Sequence, residues 1–125
     1  MQFILIPFMS ALSLDLYGPN ENVDWTFSVP SGYHVRLAFS VFSTEWQVDH
    51  LKVFDGCTEN DPIIANYSGY YTDSMMGYWD IISSQNVLHV TFSSDSNDYM
   101  FASGFSGWAY GVKDRGNSSH STYLV

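Results

Sequence analysis

The side chains best suited to catalysis are scattered along this 125-residue chain. It has four histidines, His34, His50, His89 and His120, and no two of them stand at the spacing of a metal-ligating pair. Strand alternation places three of them on polar faces, where exposed side chains are expected. Residues 104–107 read Gly-Phe-Ser-Gly, whereas a nucleophile elbow needs Gly-x-Ser-x-Gly at a strand-to-helix turn. Nothing selects a pair for glycoside hydrolysis from the 13 acidic residues. The sequence therefore predicts a protein that is not an enzyme.

Charge is scarce in this chain and mostly negative. Four Lys and Arg residues against 13 Asp and Glu residues give a net charge of −9, and only 14% of residues are charged. So few cations cannot neutralise a run of phosphates, which argues against nucleic-acid binding. An anionic membrane surface would repel the chain for the same reason. A bound cation or a basic protein partner suits such a surface.

Apolar and polar residues alternate with a period of two along most of the chain. In residues 23–29 the odd positions are apolar, and residues 33–41 and 88–92 repeat the pattern. No window of eleven or more residues combines helical spacing with capping residues. Hydrophobic residues make up 46% of the chain, enough for a packed core. Eight or nine short strands predict an all-β fold, either a two-sheet antiparallel β-sandwich or a barrel.

The two ends of the chain differ from this central pattern. The first fourteen residues form an apolar run that Pro7 interrupts and that no Lys or Arg precedes, unlike a usual signal peptide. The run is also shorter than the ~20 apolar residues of a transmembrane helix, so we expect no membrane insertion. We predict an apolar strand in residues 1–16, with a retained signal remnant as the alternative. Residues 17–112 then form the sandwich, and residues 113–125 form a flexible tail.

Five short motifs, in order, resemble the CUB domain family. Residues 25–33 match W-x-I-x-x-P-x-G-Y, residues 37–42 match L-x-F-x-x-F, and residues 45–56 match E…D-x-L-x-V-x-D-G. Residues 81–95 are similar to I-x-S-S-x-N-x-L-x-I-x-F-x-S-D, and Gly104-Phe105 with Tyr110 is similar to G-F-x-A-x-Y. The resemblance implies a jelly-roll-like sandwich of the CUB type. It departs from the family in lacking the usual disulfides, since Cys57 is the one cysteine.

The resemblance also implies a calcium site. In calcium-binding CUB domains the ligands occupy the positions of Glu45, Asp49 and Asp95, in loops at one end of the sandwich. Ca²⁺ prefers six to eight oxygen ligands, and three carboxylates in a dry cluster repel one another unless a cation or a proton compensates them. The alternative is that these acidic residues bind no ion and only keep surface turns hydrated. The resemblance further implies that Ser96 and Asn97 add oxygen ligands and that Tyr17 supports one of the carboxylates.

Other residues bear on location and covalent linkage. Two Asn-x-Ser sequons, at Asn66 and Asn117, favour a secreted glycoprotein. Cys57 begins a turn after Asp55-Gly56. We expect it either to form an intermolecular disulfide or to be a small, partly buried residue without a partner.

Two functions remain open at this point. The first is a secreted, extracellular, non-catalytic CUB-like module for Ca²⁺-dependent protein–protein interaction, whose loops present acids and aromatic residues to a protein partner. The alternative is a self-assembling extracellular structural subunit, a filament or homo-oligomer, whose N-terminal strand pairs with a neighbouring subunit. Pairing of residues 3–16 with their own sandwich favours the module, and pairing with another chain favours assembly. The aromatic candidates for a contact are Trp46, Trp79, Trp108, Tyr67, Tyr70 and Tyr71.

Overall fold

A computed structural model describes residues 2–5, 9–15, 17–96, 103–113 and 122–123. These residues form strands and one four-residue helix, so the predicted all-β fold is confirmed. Within them, no helix is long and apolar enough to cross a membrane. The elements are β1 (Gln2–Leu5), β2 (Met9–Asp15), β3 (Asn22–Ser28), β4 (Tyr33–Ser43), β5 (His50–Phe54), β6 (Ile63–Tyr67), β7 (Tyr70–Tyr71), α1 (Asp73–Met76), β8 (Ile81–Ile82), β9 (Val87–Ser93), β10 (Gly104–Lys113) and β11 (Thr122–Tyr123).

The strands form two sheets, which confirms the predicted sandwich. The first sheet has the order β1-β3-β9-β5-β6, antiparallel except for the parallel pair β1 and β3. In the second sheet β10 lies between β4 on one side and β2 and β11 on the other. The short strands β7 and β8 pair with separate stretches of the outer edge of β4.

The N-terminal residues pair with this chain's own sheets. β1 runs beside β3, and β2 pairs with β10 from Asp15↔Gly104 to Met9↔Tyr110. Leu12 in β2 is fully buried in the core. Pairing within the chain is the arrangement that favours the module over the self-assembling subunit. β11 falls within the predicted tail and pairs with Val112 and Lys113 of β10; residues 114–121 lie outside the described residues.

The core lies between the sheets and is built by the alternation read from the sequence. Trp25, Phe27 and Val29 point inward from the odd positions of their segment. Across the sheets, Trp25 of β3 and Phe92 of β9 contact Phe105 of β10, with ring centroids 6.0 and 5.3 Å apart. Full burial of a side chain of this size stabilises a fold by roughly 1.5–3 kcal/mol, so these aromatic residues hold the two sheets together.

Two details differ from the sequence expectation. Exposed histidines were expected on strand faces, but His89 is buried and its Nδ1 lies 2.9 Å from Oγ1 of the buried Thr26. On this outer face Phe54 packs beside the His89 ring, and Nε2 of His89 lies 3.7 Å from Oδ2 of Asp24. Residues 78–82 also count among the short strands that the sequence predicts, whereas only Ile81–Ile82 forms a strand.

Candidate metal site

Three strand ends meet at one pole of the sandwich. β4 ends at Ser43, and the connection to β5 carries Glu45 and Asp49. β9 ends at Ser93, which pairs with His50 at the start of β5, so the residues after β9 lie beside this connection. Oxygen atoms of Glu45, Asp49 and Asp95 all lie within 4.8 Å of one another. The structure thus brings together three carboxylates that are up to 50 positions apart in the sequence.

A tight turn presents the first two carboxylates. The Asp49 N–H donates to the Glu45 carbonyl at 3.1 Å, and the Thr44 hydroxyl donates to the Asp49 carbonyl at 3.2 Å. Gln47 within the turn has a φ of 68°, in the left-handed region. Thr44 is itself anchored, because its N–H donates to the Gly69 carbonyl at 2.9 Å. The turn therefore fixes the backbone from which both carboxylates project.

Asp49 is the buried centre of the cluster, with 0% of its surface exposed. Its Oδ2 accepts a hydrogen bond from the Tyr17 hydroxyl at 2.6 Å, and its Oδ1 accepts one from the Asp95 N–H at 2.9 Å. The Tyr17 hydroxyl also accepts from the Glu45 N–H at 3.0 Å, so one phenol links both acidic residues. Burial, followed by the hydrogen bond to Asp49, raises the pKa of Tyr17, which keeps the phenol protonated as a donor.

The segment that carries Tyr17 is tied to the segment that carries Asp95. The Ser94 hydroxyl donates to the Gly18 carbonyl and accepts from the Glu21 N–H, both at 2.8 Å. The Asn20 N–H donates to the Asp95 carbonyl at 2.7 Å. Ser94 is not among the site residues predicted from the sequence, although it directly precedes Asp95 in the motif of residues 81–95. The ties fix Asp95 against Asp49.

The electrostatics of the cluster favour a cation. Oε1 of Glu45 is buried and accepts no hydrogen bond in the described structure. Burial raises the pKa of the Glu45 carboxyl, and the charges of Asp95 and Asp49 raise it further. An unpartnered acceptor beside two further carboxylates suits a hard cation, which binds oxygen ligands and offsets their mutual repulsion.

The remaining predicted site residues lie in different places. Ser96 is exposed just beyond Asp95, and Asn97 lies outside the described residues. Asn66 is exposed on β6, with its Oδ1 3.0 Å from Nδ1 of His50. Asn117 lies outside the described residues.

Cys57 is exposed and unpaired in the loop after β5. Its N–H donates to Oδ2 of Asp61 at 2.9 Å. Of the two expectations for this residue, a partly buried side chain is not observed, and the intermolecular disulfide stays a prediction.

Two of the aromatic candidates lie close to this pole. Trp46, 69% exposed, directly follows Glu45, and its Cδ1 lies 3.2 Å from the place a Cβ on Gly69 would occupy. Tyr70, which directly follows Gly69 in the chain, is 72% exposed. Trp108 is half exposed on β10. The other three candidates pack against the core, with the Tyr67 and Trp79 rings stacked 3.7 Å apart and Tyr71 edge-on to Trp79.

Comparisons with known proteins agree with this architecture. The family model described as CUB domain matches residues 9–107. Mouse Tolloid-like protein 1 is 38% identical over 97 residues, which cover 73% of this chain and 9% of that protein, so this chain spans a small part of such relatives. The CUB1-EGF-CUB2 domains of rat MASP-1 superpose with a TM-score of 0.72 at 24% identity, over 88% of this chain and 42% of that one. The MASP-1 CUB2 domain bound to Ca²⁺ has a TM-score of 0.66 at 15% identity, over 85% and 96% respectively.

Proposed function

The chain belongs to the CUB domain family, and from this premise we propose that it is a secreted, non-catalytic module that binds Ca²⁺ through Glu45, Asp49 and Asp95 to contact a protein partner. The observation that carries the proposal is the convergence of three carboxylates within 4.8 Å, one of them with a buried, unpartnered oxygen. The calcium-bound CUB2 domain of MASP-1 supports the same chemistry at the level of the fold.

Bound calcium would compensate the charge that the fold concentrates at this pole. Ca²⁺ takes oxygen ligands from carboxylates, carbonyls and water. Glu45 and Asp95 are half-buried residues, while Asp49 is fully buried and its carboxylate is oriented by the Tyr17 hydroxyl and by the Asp95 N–H. The ion would link the turn after β4 to the segment after β9, and so hold both in one conformation.

A protein partner would meet an acidic and aromatic surface at this pole. Exposed aromatic side chains such as Trp46 and Tyr70 are the residue types that anchor protein interfaces. The surrounding negative charge favours a partner with basic side chains. Secretion is supported by the exposed sequon at Asn66, whose glycosylation needs the secretory route.

A thermal melt with calcium and with a chelator tests the proposal. Binding to the folded state alone raises the free energy of unfolding by RT ln(1 + [L]/Kd), ~2.7 kcal/mol at a hundredfold excess over Kd. We expect calcium to raise the melting temperature of the wild type and to leave that of Glu45→Gln unchanged. Glu59→Gln, which neutralises an exposed acid in another loop, is the matched control and should respond like the wild type. Identical melts of the wild type with and without the ion would refute calcium binding.

A further inference from the structure

The outer edge of β4 has a gap in its strand pairing. β8 pairs with Arg36 and Leu37, and β7 pairs with Phe42 and Ser43. Among the described residues, no strand pairs with residues 38–41 on this edge. The chain that joins β7 to β8, residues 72–80 including α1, passes beside the gap instead of filling it.

Backbone groups of β4 point into this gap. The Val35 N–H donates to Oγ of Ser83 at 2.8 Å, and its carbonyl accepts from the Ser83 N–H at 2.9 Å, so both groups of Val35 face this edge. Strand backbone groups alternate between the two edges, and this alternation holds in β4 as far as Phe39. A β-bulge follows, because Gly107 pairs with Phe39 and Ser106 with Val41. Leu37 and the Phe39 N–H therefore face this edge too. β8 reaches Leu37 but not Phe39. The Phe39 N–H therefore points into the gap, where the described structure provides no backbone partner.

Two open cavities flank this unpaired stretch. One, of about 350 Å³, lies between residues 36–40 of β4 and the segment that includes Met76 and Trp79. The other, of about 460 Å³, lies between residues 40–42 and residues 70–74. Ser40 and Asp73 line both cavities. A strand edge with adjacent cavities is the arrangement by which sheets bind extended peptides, with main-chain hydrogen bonds at the edge and side chains in the cavities.

The charge at the cavities selects a basic side chain. Asp73 is exposed on the wall that the cavities share. Asp80, at the end of the same connecting segment, already neutralises Arg36, with the two side chains 3.4 Å apart. Asp73 thus adds negative charge to a chain whose net charge is −9. A Lys or Arg side chain of a bound peptide complements this charge, and the rings of Phe39 and Trp79, which line the first cavity, suit an apolar side chain of the same peptide.

We propose that the edge of β4 between β7 and β8 binds an extended segment of a protein partner, which adds a short strand at Phe39 and places a basic side chain against Asp73. None of the three carboxylates of the calcium site lines these cavities, so this interaction is separate from calcium binding.

Nuclear magnetic resonance titration in chelator tests the proposal on the full chain. The probe is the capped peptide acetyl-Val-Lys-Thr-Tyr-Val-amide, whose lysine and tyrosine lie on one face of a strand. We expect millimolar peptide to shift the amide signals of residues 38–41. Two variant peptides should bind several-fold more weakly: one with glutamate for lysine, which reverses the charge, and one with proline for threonine, which removes a backbone donor.

Protein variants complete the test. Asp73→Asn should weaken binding of the lysine peptide by about two- to fivefold, the range of an exposed charge pair. Glu59→Gln, an exposed acid outside both cavities, should bind like the wild type. The proposal is overturned if the shifts fall away from residues 38–41 or are absent at millimolar peptide. Equal binding of the glutamate or proline peptide, or no effect of Asp73→Asn, would also overturn it.

Discussion

Replacement of Tyr17 by phenylalanine removes the hydroxyl that links two of the three carboxylate-bearing residues. The phenol donates to Asp49 at 2.6 Å and accepts from the Glu45 N–H at 3.0 Å. A hydrogen bond to a charged group contributes about 1.5–3 kcal/mol, and a neutral one about 1 kcal/mol. The phenylalanine ring keeps the edge-on contact with Phe92, whose centroid is 4.7 Å away. Because Asp49 is fully buried, no water replaces the lost donor without rearrangement, and we expect the metal-free protein to lose about 3 kcal/mol.

Urea denaturation in chelator, followed by tryptophan fluorescence, measures this loss directly. Tyr33→Phe is the matched control, since the described structure gives the Tyr33 hydroxyl no hydrogen bond, and it should change the free energy of unfolding by less than about 0.5 kcal/mol. In the Asp49→Asn background the effect of Tyr17→Phe should shrink, because the charged acceptor is gone. A loss below about 1 kcal/mol in the wild-type background would show that the phenol does not orient a buried carboxylate.

Three further predictions follow from other contacts. Glu45→Gln should stabilise the metal-free protein at pH 7. The raised pKa of Glu45 means that the folded state holds the proton more tightly than the unfolded state, so the stability of the wild type falls as the pH rises above about 4.5, the ordinary pKa. In pH-dependent denaturation the gain over wild type should vanish below that pH, and a gain that grows on acidification would contradict this. Gly107→Ala should lower the free energy of unfolding by about 1–3 kcal/mol, because its Cβ would overlap the Ala38 carbonyl oxygen; an unchanged urea midpoint would refute this close approach of β4 and β10. Mild oxidation should give a disulfide-linked dimer on a non-reducing gel, absent from Cys57→Ser, and a purely monomeric wild type would contradict it.

The two-residue period was sufficient to predict the sandwich and its core. Trp25 and Phe27 alternate with polar residues, and both lie in the core as expected. The period does not show what covers the outer face of a sheet. It predicted an exposed side chain at His89, which is buried, because the Phe54 ring packs beside it and Oγ1 of the buried Thr26 lies 2.9 Å from its Nδ1.

The convergence of Glu45, Asp49 and Asp95 was expected from the order of motifs and not from spacing. Asp95 lies 46 positions after Asp49, and only the pairing of β5 with β9 brings them together. The gap at β4 had no sequence signal. Residues 33–43 form one continuous strand, and the gap exists because α1 interrupts the neighbouring chain between β7 and β8. Irregular segments of this kind are set by packing, which periodicity does not report.

Calorimetric titration of calcium into metal-free protein tests the calcium site most directly. The three carboxylates predict one ion per chain for the wild type and for the Glu59→Gln control. Glu45→Gln and Asp95→Asn should each abolish the binding heat, because each removes a charged ligand. No heat with the wild type, or wild-type binding by both ligand variants, would contradict the assignment of this pole as a calcium site.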